Sequence, residues 1–294
     1  MTDSRVENIL EAFETFDGVY KRSEVGAAVK LQEQITPHLL RVLEQVLSEP
    51  HKYANEQDYY THIYALVLLG HFKEQRAHRT IVELFSLPTD LPHQLFGDIV
   101  TENGPIILLR TCGGSTECIK SLVLNKEADD YCRSSAMRAM VFAVAKGMEP
   151  RETVLALFSS LFTGNEADCD SPFWSFLASA VCDLYPEGMM EIIRQAYQDK
   201  LISPGIIGPE SFQRTLAEGR ERTVERVRAR IRRRSPKNVH DYMSWWACFS
   251  NQQPSLRISA FSGKRPAQGS PGKRKVRRRK IRKRKRNARK RGRR

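Results

Sequence analysis

The sequence predicts an all-α fold, an array of paired helices built as an α-solenoid or an irregular helical bundle, followed by a disordered basic tail. Three observations carry this prediction. Apolar residues recur at three- and four-residue spacing along most of 1–250, the period of one helix face. A similar arrangement of residues returns after about 40 positions. Finally, the charge changes sign near residue 262. The chain has 48 Lys plus Arg and 34 Asp plus Glu, and 19 of the bases but none of the acids fall in 262–294. That leaves 29 bases against 34 acids in 1–261, a body of about −5 beside a tail of +19.

The elements follow in order. Val6, Ile9, Leu10 and Phe13 form the stripe of a first helix. Thr36-Pro37 fits as N-cap and first position of a helix carrying Leu39, Leu40, Leu43 and Leu47. In "THIYALVLLGHFKEQRAHRTIVELFSLP", Ile63, Leu66, Val67 and Leu69 or Gly70 share a face, and Ile81, Val82, Leu84 and Phe85 follow. Pro88 and Pro92 break that pattern. Two short apolar segments come next, split by Asn103-Gly104-Pro105. Ala136, Met140, Val141 and Val144 then make one stripe, Gly147 ends its helix, and Pro150 sits near the start of the next. Asp170-Ser171-Pro172 starts another helix, which Tyr185-Pro186 interrupts. A last helix begins near Pro209, with Phe212, Leu216, Val224, Val227 and Ile231 as its apolar face, and stops before Pro236.

Asp130 to Ala139 and Asp170 to Ala180 share an acid, an aromatic near the helix start and small residues on one face. Asp58-Tyr59-Tyr60 to Ala65 fits the same register about 70 residues earlier, with room for one degenerate unit around 90–114. Two helices in roughly 40 residues is the unit of HEAT-like arrays. The organisation expected is a helical-repeat domain at 1–250, a linker at 251–269 and a disordered polybasic tail at 270–294.

Three tracts and a short motif carry a family resemblance. They are "IYALVLLGHFKEQRA", "LFGDIVTENGP", "AYQDKLISPGIIGPESFQRTLAEG" and, most distinctive, Trp245-Trp246-Ala247-Cys248-Phe249. Over most of 5–250 the chain resembles a bacterial family of uncharacterised helical, HEAT-like proteins, a domain of unknown function. The resemblance implies the fold and little about activity. Many such proteins end in a SEC-C element, a zinc-binding CxC…CC motif also found at the end of the bacterial secretion ATPase. Here no Cys or His follows Cys248, so the resemblance carries over no zinc ligand.

The tail offers the clearest chemistry. Lys273, Arg274, Lys275, Arg277, Arg278, Arg279, Lys280, Arg282, Lys283, Arg284, Lys285 and Arg286 stand almost without apolar neighbours. Such a segment cannot bury enough surface to fold alone. It suits phosphate binding by counterion release, to RNA or DNA. With no aromatic from Ser262 onward, base stacking is absent and little sequence preference is expected. Arg222, Arg226, Arg230 and Arg234 sit four apart and form one basic helical stripe. It is either a surface continuing into the tail or a solvated face with Glu218–Arg222-type pairs.

Other candidates favour ordinary roles. His71, Glu74 and His78 share a helix face, but the histidines lie about 10 Å apart along it, too far for one ion. Asp98, Glu102 and Asn103-Gly104 read as loop and cap chemistry, and Cys112 to Ser115 has no triad partner. Trp245, Trp246 and Phe249 fit as the seal of the last repeat. Six scattered cysteines form no zinc pattern and read as free thiols of a reducing compartment. The apolar run "YALVLL" is far short of a membrane span, and "MTDSRVENILEAF" has no signal-peptide core. The expectation is a cytoplasmic, non-enzymatic interaction module without a cofactor. RNA or DNA would bind the tail, and an unidentified protein would bind the helical surface. The alternative is a protein–protein scaffold or chaperone-like adaptor whose tail is dispensable.

Overall fold

The computed structural model describes residues 2–249, apart from 57, 164, 236, 237 and 245. Within them are seventeen α-helices, two isolated β-bridges and no strand. The helices run α1 (Thr2–Glu14), α2 (Arg22–Lys30), α3 (Gln32–Ser48), α4 (Pro50–Asn55), α5 (Thr61–Phe72) and α6 (His78–Phe85). Then come α7 (Leu91–Phe96), α8 (Ile99–Glu102), α9 (Gly104–Thr111), α10 (Glu117–Leu124), α11 (Asp130–Ala145) and α12 (Arg151–Leu161). The last are α13 (Phe173–Asp183), α14 (Met190–Gln198), α15 (Pro209–Glu218), α16 (Arg220–Arg234) and α17 (Val239–Met243). The fold is all-α, as the periodicity predicts. The linker and tail expected at 251–294 lie outside the described residues.

One row of helices forms the spine: α3 packs on α5, α5 on α9, α9 on α11, and α11 on α13. Helices α6, α10 and α12 pack against that row. The repeat shows itself in hydrogen bonds between residues 33 apart. They join His62 to Leu95 O, His78 to Thr111 Oγ1, Thr116 to Glu149, Arg133 to Glu166, Arg151 to Leu184 O and Cys182 to Thr215. Other links between neighbouring units span from 28 residues, Ser175 to Ser203, to 41, Asp130 to Ser171. The sequence interval of about 40 therefore catches the long end of a variable repeat. The degenerate unit expected at 90–114 is α7 to α9, where Pro92 and Pro105 open short helices.

Several local expectations need correction. Helix α3 starts at Gln32, so Thr36 and Pro37 lie inside it. Pro37 has no N–H and crowds the carbonyl one turn back, a cost reduced here because both Pro37 and Glu33 face solvent. Helix α5 has no apolar stripe; every residue from Thr61 to Gly70 is buried, because neighbours pack on all its sides. Gly147 does end α11, with φ of 73° in the left-handed region that a Cβ disfavours.

Among the polar residues buried in this core are Arg133 and His62. The Arg133 side chain is 1% exposed, donates to Val123 O (3.0 Å), Glu166 O (2.9 Å) and Glu166 Oε2 (3.0 Å), and lies 3.9 Å over the Phe173 ring. His62 donates from Nε2 to Leu95 O at 2.7 Å and stacks on Tyr59. Burial holds the His62 imidazole neutral and pushes its pKa down to about 4. In the unfolded chain it titrates near 6.5, so between pH 6.5 and 4 the unfolded state holds the extra proton. Its share of stability is therefore full above pH 6.5 and falls with pH, by about 2 kcal/mol at pH 5. Urea midpoints at pH 7 and pH 5 check this: the drop should shrink in His62→Gln.

Candidate functional site

The predicted basic stripe lies on the returning end of the chain. Sequence reading gave one helix from Pro209; the structure has two, because Gly219 at φ 86° breaks the chain between α15 and α16. Helix α16 then lies against α11 and α13 as well as α15. Arg222 is exposed. The other three arginines have partners within the body. Arg226 pairs with Glu218 and donates to Thr215 Oγ1. Arg230 grips both carboxylate oxygens of Asp183. Arg234 donates to the backbone carbonyl of Glu102 and, at 2.9 Å, to its carboxylate. Arg228 adds a bond to Ala145 O at 3.0 Å. Glu218 thus pairs with Arg226 rather than Arg222, since the break at Gly219 changes the register. Such fork-to-carboxylate pairs fix orientation. Here they fasten α16 onto the repeat row through residues from three different units.

The chain then returns to its beginning. Helix α17 packs on α2, and Tyr20 Oη is hydrogen-bonded to His240 Nδ1 at 2.8 Å. Phe249 is 7% exposed, with ring centroids 5.3 Å from Tyr20, 6.1 Å from Tyr60, 6.2 Å from Phe16 and 6.3 Å from Tyr64. Trp246 stacks on Phe249, and Tyr60 donates to Cys248 Sγ. Trp245 lies outside the described residues. The aromatic motif therefore seals the first unit, not the last repeat as its place in the sequence implied. A seal over α1, α2 and α5 covers aromatics that no later unit reaches.

The weaker candidates resolve into structure. His71 is half-buried near the end of α5. Glu74 caps the following 3₁₀ turn and pairs with Arg76, and His78 is bonded to Thr111. These three do not converge. Glu102 is taken by Arg234, and Cys112 is buried and donates to Leu109 O. Gly113 and Gly114 after it have φ of 61° and 95°, a helix-end turn. Among the described residues no three His, Cys, Asp or Glu are placed to hold a metal.

Two concavities of the described residues stand out. A shallow groove between α1 and α2, about 410 Å³, is lined by Arg5, Ile9, Glu24, Ala27 and Lys30 among others. A small cavity of about 20 Å³ lies where α5 and α9 meet the returning segment, lined by His71, Arg110, Arg234 and Tyr242 among apolar neighbours. Sequence reading missed Arg110 and Tyr242, which 132 positions separate in the chain. The tail candidates from Lys273 to Arg286 lie outside the described residues.

The sequence matches, over residues 4–250, a family described as "Protein of unknown function (DUF1186)". The chain belongs to this family. DUF1186 spans α1 through the aromatic seal, so the returning segment falls within the family's extent. An uncharacterised protein of Chlamydia trachomatis serovar D is 30% identical over 72% of this chain and 84% of its own length. A counterpart in Chlamydia muridarum is 30% identical over the same share of this chain and 85% of its own. No solved structure matches. No helix of the described residues is long and apolar enough to cross a membrane.

Proposed function

We propose that this DUF1186 protein is a non-enzymatic interaction module, a helical-repeat body tethered to RNA or DNA by its basic tail. The observation that carries the reading is the charge division: 19 bases and no acid in 262–294, against a body of about −5. Phosphate contacts by such a tail depend on charge density and salt, not on base sequence. The pairing on α16 supports the same division of labour. Arg226, Arg230 and Arg234 are held by Glu218, Asp183 and Glu102, so the exposed Arg222 and Arg233, with the tail, supply the open charge. Free cysteines, three of them buried, fit a reducing compartment, and we place the protein in the cytoplasm.

Labelled RNA and DNA titrated with the full chain and with a 1–261 truncation, across a salt series, test the tether. The full chain should bind both. Its affinity should fall by roughly 10³–10⁵ between 50 and 200 mM salt for six to ten phosphate contacts. The truncation should bind neither. Equal binding by the truncation would shift the role to the body, with Arg222 the first residue to replace.

The second reading is a protein–protein scaffold with a dispensable tail. The observation favouring it is that α16 pairs Arg226, Arg230 and Arg234 within the body, which leaves its stripe with less open charge than the sequence suggests. Failure of both the full chain and the truncation to bind nucleic acid at physiological salt would turn the assignment this way.

A further inference from the structure

The small cavity between the repeat row and the returning segment has an unusual lining. Val67, Ile106, Ile107 and Val239 make it apolar, and its polar side chains are Arg110, Arg234, Tyr242 and His71. Its walls are close-packed: a Cβ on Gly70 would stand 2.9 Å from Ile107 Cγ1, so no side chain of α5 could fill the space from there. Arg110 donates from Nη2 to His71 O at 2.6 Å. Its Nε is buried and meets no acceptor among the described residues, and no carboxylate of those residues pairs with it. The Tyr242 hydroxyl is buried too, with the Asn103 side chain beside it. Arg234 faces the cavity while pairing with Glu102.

The electrostatics point one way. A guanidinium taken out of water without a counter-charge costs several kcal/mol, and buried charges in folded proteins are paired for that reason. Burial depresses the Arg110 pKa, and no carboxylate acts to oppose it. His71 is held neutral first by burial and then by the positive charges of Arg110, His240 and Lys73. Burial keeps the Tyr242 proton on, so that side chain is a donor. Arginine and protonated tyrosine aim donors and positive charge at one small space. Its volume of about 20 Å³ is room for a particle of water or halide size.

We propose that this cavity is a binding site for a single small monatomic anion of chloride size, held by Arg110 and Tyr242 with Arg234 at its edge. Such an ion bridges α9 to the segment that carries Arg234, Val239 and Tyr242. It acts as a clasp on the returning end of the chain.

The test uses the full chain in sodium chloride, bromide, gluconate or phosphate at matched ionic strength. Thermal midpoints should climb with chloride and bromide by roughly 3–6 °C per tenfold increase above the dissociation constant, and stay flat in gluconate. Crystals grown in bromide should show an anomalous peak inside the cavity. Tyr242→Phe and Arg110→Met should each abolish the halide response. Equal midpoints in chloride and gluconate would overturn the proposal, as would a cavity holding only water in bromide. So would a halide response that both variants retain, and a response to phosphate alone would refute the proposed size. If Arg110→Met fails to fold, Tyr242→Phe and the bromide crystals decide the matter.

Discussion

Arg133→Met should destabilise the protein by about 3–5 kcal/mol, the range for removing one partner of a buried ion pair. The side chain is 1% exposed and its partner Glu166 is 9% exposed; Glu166 keeps Lys126, at 3.1 Å on its other oxygen, but loses the buried guanidinium. Val123 O and Glu166 O would also lose their donor, and Phe173 its cation. Methionine roughly fills the volume, so the loss reports polar bonding rather than a void. A thermal melt should fall by roughly 6–20 °C at this chain length. The double variant Arg133→Met with Glu166→Met should recover part of the loss, since it leaves no buried carboxylate short of its guanidinium and the half-exposed Lys126 returns to water. A melt within a degree or two of the parent in the single variant would mean that Arg133 reaches water in solution.

Phe249→Ala should cost about 3 kcal/mol, although the residue stands at the very end of the described chain. The ring touches Phe16, Tyr20, Tyr60, Tyr64 and Trp246, so its removal opens a void over the first unit. The effect should appear at that end: amide exchange in α1 and α2 should quicken more than exchange in α13. Even acceleration across both regions, or a loss below 1 kcal/mol, would show that the returning segment is only loosely attached.

The fold was readable wherever a boundary depends on local chemistry. Gly147 ends a helix because its backbone needs positive φ, and Pro150 opens the next because a first-turn residue needs no N–H. Gly219 was unreadable for the converse reason. A single glycine within a helix costs about 1 kcal/mol, strong helix formers stand on both sides, and only φ reveals the break. Helix α5 hid its burial because a stripe is visible only when one face is wet. Arg133 looks like Arg222 in sequence; packing against α10 and α13 makes them opposites. The basic stripe was legible as charge but not as pairing, since Asp183 and Glu102 lie 47 and 132 residues from their arginines. Arg110 and Tyr242 meet only because the chain comes back on itself, and no local pattern signals that.

The return of the last helix also bears on how the chain is made. An open array of repeats can fold unit by unit as it is synthesised, each new unit needing only its neighbour. Here the first unit is completed by the last: Tyr20 must wait for His240, 220 residues later. At a synthesis rate of about 5–20 residues per second, that is a delay of roughly 10–45 s. Throughout it, Phe16, Tyr20 and Tyr60 face the ribosome's surroundings without their cover. The nascent protein thus exposes an aromatic patch that the finished one conceals, and its half-made form is the state most open to chaperones and to aggregation.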